Sequence, residues 1–176
     1  MIAIVAVDRS WGIGRDGGLL FRLPSDMKRF RALTSGGTVL MGRRTLDSFP
    51  GGNPLPNRRN VVLTSETTLG PGVETVHSPE ELAAAAAGEP EDRVFVIGGG
   101  SVYAALLSRC RYAYVTKVDS DAPNPPDTYF PNLDKLCGWK ILRTSEPVSE
   151  NGVTYRFVDY VNTKLCSGPD APEGTR

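Results

Sequence analysis

One carboxylate in this sequence stands where a carboxylate is costly. In the stretch GIGRDGGLLFRLPSDMKRFRAL, residues 12–33, Pro24 suits the first turn of a helix and Gly36-Gly37 supplies a stop about three turns later, which sets a helix over residues 24–34. At about 100° per residue, Leu23, Phe30 and Leu33 share one stripe, while Lys28, Arg29, Arg31 and Ala32 fall away from it. Asp26, four residues before Phe30 and seven before Leu33, lies inside that stripe and is expected to point toward the core. An inward acid costs on the order of several kcal/mol unless something pairs with it, and this segment offers no inward Lys or Arg. Such a carboxyl titrates high through desolvation and suits a ligand with paired N–H donors, such as an amidine-like or protonated heterocycle edge. The alternative is a surface acid that complements the helix N-terminus, worth about 0.3 to 1 kcal/mol.

Other candidate groups are spread along the chain. Arg43-Arg44-Thr45 follows Gly42 at the start of a short helix, which is either an anion site or a solvated basic edge. Gly98-Gly99-Gly100 separates an apolar run from SVYAALL, so bare backbone N–H groups and a helix start meet at one point. That suits a pyrophosphate, or is no more than a tight turn, since the spacing is not GxGxxG. Thr64-Ser65 is the polar end of NVVLT and lies beside Arg44 if the two strands are parallel neighbours. His77 is the one histidine, so imidazole triads and most metal hydrolases would rest on it alone; it sits in an ordinary turn or near a ligand edge. The three cysteines, Cys110, Cys137 and Cys166, form no CxxC pattern, which argues against a disulfide framework or zinc cluster and for a reducing cytoplasm. Lys plus Arg and Asp plus Glu are 20 each, so no global field draws the protein to nucleic acid or a membrane. No apolar segment approaches the roughly 18 residues of a membrane span.

The elements that must position these groups alternate in type. IAIVAV, residues 2–7, reads as a strand buried on both faces. Gly12, Gly14, Gly17 and Gly18 then give a long connection with little to restrain it, read as a mobile lid over residues 12–20 or else as an ordinary surface loop. Further strands are expected at 38–41, 60–64, 73–76, 93–97 and 112–118, with helices at 43–46, 79–87 and 101–107. Thr116 is a polar residue within the apolar YAYVTKV, and residues 119–131 read as loop. Residues 140–143 and 153–161 form an antiparallel pair, with 149–152 as its turn. The class is α/β: a single domain over 1–162 with a mainly parallel twisted sheet of about eight strands, helices on both faces and an antiparallel C-terminal hairpin. Residues 163–176, rich in Gly and Pro, are expected to be a disordered tail. Ligands of such sheets bind at the carboxyl ends of the strands, where 98–100, 43–45 and 64–65 converge and could hold three anionic points of one dinucleotide.

Taken together, GIGRDGGL, LPSDMKRF, VLMGRRT, PLPNRRNVVL, VIGGGSVY, YVTKVD and DTYFP resemble dihydrofolate reductase over nearly the whole chain to about residue 161. The resemblance implies NADPH-dependent reduction of 7,8-dihydrofolate to tetrahydrofolate for one-carbon metabolism, in a cytoplasmic monomer that is open to antifolate inhibitors. Hydride passes to C6 and a proton to N5. Asp26 matches the one ionisable group of the pterin pocket and polarises the ring while a water delivers the N5 proton; Thr116 matches the threonine that supports it. Phe30 matches the aromatic residue against the pterin, Val5 and Ile97 the carbonyls at its edge, and Arg58 the grip on the glutamate α-carboxylate. Ala6, Leu19, Phe21, Met27, Phe49, Leu55 and Tyr103 complete the implied substrate site. For NADPH, the resemblance implies Gly98, Gly99, Gly100 and Tyr103 as the cofactor loop and Arg44, Thr45 and Ser65 as phosphate contacts. Ala6, Ile13, Gly14, Gly18, Leu19, Gly42, Arg43, Leu63, Thr64, His77, Ile97, Ser101 and Val102 join them. Leu20-Phe21 stands where the family often has Pro-Trp, so an indole N–H that commonly holds an ordered water is missing. Leu46 replaces a frequent aromatic residue. Two rival readings are a pyrimidine reductase of riboflavin synthesis, which gives Arg58 no glutamate tail to bind, and a non-catalytic nucleotide- or folate-binding module.

Overall fold

The computed structural model describes residues 1–165. Its main sheet is built on β1 (Ile2–Val7), flanked on both sides by parallel strands. After β1 come β2 (Gly12–Arg15), β3 (Gly18–Leu19), α1 (Pro24–Thr34), β4 (Thr38–Gly42), α2 (Arg43–Asp47), β5 (Arg59–Leu63) and β6 (Val73–Val76). The chain continues through α3 (Pro79–Ala84), β7 (Val94–Gly98), α4 (Gly100–Leu106), β8 (Tyr112–Val118) and β9 (Thr128–Tyr129). It closes with β10 (Trp139–Thr144), β11 (Val148–Glu150) and β12 (Val153–Asn162). The strand order is β10-β12-β8-β1-β7-β4-β5-β6, with β11 paired to β12. The strands β1, β4, β5, β6, β7 and β8 run parallel, and β12 is antiparallel to both β8 and β10.

Two-residue periodicity divides the core between the faces. Ala3, Val5, Leu40, Val61, Val94 and Val96 pack beneath α3 and α4, together with Leu82, Val102, Tyr103 and Leu106. Ile2, Ile4, Val39, Met41, Val62 and Phe95 form the other cluster, against Phe30 and Leu33 of α1 and Leu46 of α2. Continuous apolar runs therefore mark strands covered on both faces, as expected of a parallel sheet.

Three local expectations are corrected. The connection after β1 is not an unrestrained loop: β2 pairs with β3 and, at its other edge, with β9, in a small separate antiparallel sheet. The turn at 151–152 joins β11 to β12, not β10 to β12. Asn151 (φ 51°) and Gly152 (φ 76°) both take the left-handed conformation that two-residue hairpin turns require. The third helix stops at Ala84 instead of continuing to Ala87. At the C-terminus, Thr163 donates its N–H to the Gly138 carbonyl at 2.7 Å, and the remainder of the expected tail, 166–176, lies outside the described residues.

Candidate active site

Helix α1 starts at Pro24, as its sequence dictates, and brings Asp26 to β8, the strand beside β1. Thr116, 1% exposed, donates its hydroxyl to Asp26 Oδ1 at 2.6 Å. Burial pushes the Asp26 carboxyl above the usual carboxylate range, opposed by the Thr116 hydrogen bond and the charge of Arg29 and assisted by the charge of Glu150. The acid is thus held by one hydroxyl, with no Lys or Arg paired to it among the described residues. Arg29, expected to fall away from the buried stripe, does not. Its guanidinium lies 4.6 Å over the Phe157 ring and 5.3 Å from that of Tyr114, and it donates to Asp159 at 2.9 Å. The β8–β12 flank curls alongside α1 and offers the buried Asp159 as a partner, which Arg143 also engages at 2.6 Å. That satisfies Asp159 and keeps Arg29 from neutralising Asp26 outright.

Beside the acid, Phe30, Leu33, Phe49, Leu55 and Ile97 are partly buried against one cluster and form an apolar wall. Met27, on the same first turn of α1, is 48% exposed, and Leu19 of β3 is 66% exposed. Ala6 pairs in register with Thr116 across β1 and β8. Val5 sends its side chain to the opposite cluster, so only its backbone is available on the Phe30 side. The carbonyl that the structure singles out is one residue earlier: Tyr103, buried on α4, donates its hydroxyl to Ile4 O at 2.6 Å. Phe21 packs away from the wall, in a third cluster with Leu23, Val118 and Tyr155.

Arg58 sits just past the C-terminal end of α1. It donates Nε to Thr34 Oγ1 at 2.8 Å and a terminal nitrogen to Pro56 O at 2.6 Å. No carboxylate is paired with it among the described residues, and partial burial together with the neighbouring Arg31 lowers its affinity for the proton without discharging it. A guanidinium held this way is a ready partner for a carboxylate on a ligand.

The carboxyl ends of β4, β5 and β7 converge as the parallel topology requires. Gly42 and Gly99 approach closely, and a Cβ on Gly42 would lie 3.8 Å from Gly99 N and 3.3 Å from Val102 Cγ2. A Cβ on Gly98, whose φ is +130°, would lie 3.2 Å from Thr45 Oγ1. Strand, glycines and helix therefore leave an uncluttered backbone lip bearing one hydroxyl, which fits a pyrophosphate. Ser101 on α4 is exposed, whereas Val102 is fully buried and can offer only its main chain.

The two arginines of α2 are not equivalent. Arg43 is engaged by Asp47 at 2.8 Å and by Glu66, so its charge is internally compensated. Arg44 is exposed and makes no side-chain hydrogen bond or ion pair among the described residues. Across the strand ends, Thr64 accepts the Nδ1–H of His77 on its carbonyl at 2.9 Å, with Ser65 exposed next to it and Leu63 partly buried below. Arg44, Ser65 and His77 thus lie exposed beside the lip.

Residues with no site signature in the sequence organise the small sheet. The buried Asp8 accepts the N–H of Ser10 at 2.9 Å and of Gly12 at 2.7 Å on one oxygen, and that of Ala122 at 3.4 Å on the other. Asp127 accepts Asp16 N–H at 2.8 Å and donates its own N–H to Gly14 O at 3.1 Å. Ile13 is buried at the base of this sheet, and Gly18 is exposed at its tip.

Comparison with known proteins agrees with this geometry. The family model described as "Dihydrofolate reductase" matches residues 1–162. The chain is 40% identical over 164 residues to a dihydrofolate reductase of Mycobacterium tuberculosis, covering 91% of this chain and 97% of that protein. It is 36% identical over 164 residues to one of Staphylococcus aureus, covering 92% and 97%. Among solved structures, the dihydrofolate reductase from Enterococcus faecalis complexed with NADP(H) and RAB-propyl superposes with a TM-score of 0.79 at 34% identity, covering 91% of this chain and 94% of that one. A desolvated acid beside a buried threonine, an apolar wall, a tethered arginine and a glycine-lined lip thus sit in a chain that belongs to the dihydrofolate reductase family.

Proposed function

We infer that this chain catalyses NADPH-dependent reduction of 7,8-dihydrofolate to tetrahydrofolate, with Asp26 as the acid that meets the pterin. The observation that carries this reading is the Asp26–Thr116 pair, a carboxyl raised by burial and supported by one hydroxyl at 2.6 Å. NADPH, when bound, supplies the hydride. Arg44, Ser65 and His77 would hold its ribose phosphate, and the backbone of 98–100 with Thr45 would hold its pyrophosphate. Asp26 accepts the paired N–H groups of the pterin's 2-amino edge, which pushes electron density from that edge into the ring and favours a proton at N5. Phe30, Phe49, Leu55 and Ile97 exclude bulk water from the ring, and Arg58 binds the glutamate α-carboxylate at the far end. Positioning supplies much of the rate, because the chain itself needs to make no covalent bond.

No described helix is long and apolar enough to cross a membrane. A cytoplasmic setting is supported by the free thiols of Cys110 and Cys137, which carry no disulfide. The apolar wall beside Asp26 also suits antifolate inhibitors that present a protonated, amine-bearing ring.

The purified protein is expected to oxidise NADPH only when dihydrofolate is added, followed by the loss of NADPH absorbance. Absence of turnover with both present sinks the enzymatic reading and leaves a binding module.

A further inference from the structure

The amino end of α1 is capped from outside the helix. Leu23, the residue before it, has no side-chain oxygen to offer and makes no side-chain cap. Instead Glu150, the last residue of β11, accepts the Ser25 backbone N–H at 3.1 Å on Oε1 and the Ser25 hydroxyl at 2.9 Å on Oε2. Tyr155 of β12, fully buried, donates its hydroxyl to Glu150 Oε1 at 2.7 Å. The adjoining Asn151 donates its side-chain amide to Arg22 O at 3.1 Å. Ser25 directly precedes Asp26, so these contacts set the turn on which Asp26 rides.

We propose that Glu150 is a positioning residue for Asp26: capping α1 at Ser25, it fixes the turn that aims the Asp26 carboxyl at Thr116 and into the cleft. The proposal rests on Asp26 being the acid that meets the pterin. The hydrogen bonds of Glu150 go to Ser25 and Tyr155, so it acts through α1.

The groups acting on Asp26 come from five elements. Arg29 of α1 draws its carboxyl down by charge and Thr116 of β8 by a hydrogen bond, while Glu150 of β11 pushes it up. Tyr103 of α4 and Tyr155 of β12 also interact with it. Burial keeps both phenols neutral, that of Tyr155 being pushed up to about 12. Tyr155 and Ser25 hold the Glu150 carboxyl below its usual range, so Glu150 is already ionised where Asp26 titrates. The cap therefore couples geometry and charge in one side chain, through the first turn of the helix, where a carboxylate is favoured.

The test uses the full chain and three variants, Glu150→Gln, Glu150→Asp and Tyr155→Phe. The Asp26 carboxyl is titrated in the free protein by carbon-detected NMR, and dihydrofolate turnover is measured across pH. In Glu150→Gln the Asp26 midpoint moves to lower pH, because a like charge has gone, and the pH profile of kcat/KM moves with it. The cap is also weakened, so kcat/KM at neutral pH falls about fivefold. Glu150→Asp restores the like charge on an arm too short to cap Ser25, so the Thr116 hydrogen bond loosens and the midpoint rises above the parent value; a midpoint back at the parent value marks a charge effect alone and overturns the proposal. A lower melting temperature with the Asp26 midpoint unmoved marks a purely structural role and overturns the proposal. A moved midpoint with an unmoved pH profile upholds the coupling and breaks instead the assignment of Asp26 as the acid of the reaction. Should Glu150→Gln fail to fold, Tyr155→Phe untethers Glu150 while leaving it charged, and an unchanged midpoint and profile there overturn the proposal equally.

Discussion

Asp26→Asn removes most turnover at neutral pH and, in the same protein, raises the melting temperature. The activity loss follows from replacing an ionisable acceptor with an amide that cannot balance a protonated pterin edge, and is expected at roughly 100- to 1,000-fold in kcat/KM. Part of it returns at acid pH, where the substrate arrives already protonated. The stability gain has the opposite origin. Burial raises the Asp26 carboxyl in the folded chain, so the folded state binds that proton more tightly than the unfolded one does. Stability from this group is complete below its ordinary value and is lost as pH rises through the folded-state value, so at neutral pH the ionised acid works against folding. Asparagine removes the charge and still accepts the Thr116 hydroxyl. A relief of about 1 kcal/mol raises the melting temperature by about 2–4 °C for a chain of this size. Thermal melts of the two proteins against pH should converge in acid, and a variant that melts lower than its parent at neutral pH contradicts the desolvated acid.

Arg58→Leu is expected to raise KM for dihydrofolate by roughly 10- to 100-fold while kcat changes little, the signature of binding energy shared by ground and transition states. A charge-assisted pair with a carboxylate is worth about 1.5–3 kcal/mol. Arg58 is held ready for one by Thr34 and Pro56 and has no internal carboxylate among the described residues. A dihydropteridine that lacks the glutamate tail is the control: its KM should be the same in both proteins. A parallel loss with the truncated substrate would show that the substitution had disturbed the end of α1 rather than a carboxylate grip.

Some of this was readable in the chain and some was not, for identifiable reasons. The strands of the parallel sheet announce themselves as apolar runs with polar ends, and the spacing of Pro24, Asp26, Phe30 and Leu33 is enough to put an acid on a buried face. Arg29 misleads because helical spacing gives only the direction of Cβ; a long side chain can turn back to reach Asp159, 130 residues later. Arg43 likewise reads as free until the fold brings Glu66 beside it. Strands β2, β3 and β9 are two to four residues long and glycine-rich where they cross, too short for any periodicity to show. The distinction between Val5 and Ile4 turns on which backbone carbonyl meets Tyr103, a matter that side-chain pattern does not encode. The cap from Glu150 had no signal at all, since capping boxes are sought within a helix's own sequence.

The Asp8 latch has a consequence for how this protein tolerates change. Its three donors at Ser10, Gly12 and Ala122 are all main-chain amides, so the identity of the residue supplying them is immaterial as long as it is not proline. Substitutions at 122 can accumulate without loosening the fastening, whereas Ser10 also donates its hydroxyl to Asp121 at 3.2 Å across the same two segments. Gly12 is different, since a Cβ there would come within 2.3 Å of the Pro126 ring. The segment that Asp8 fastens is thus free to drift at 122, carries a side-chain tie at 10 and is locked at 12.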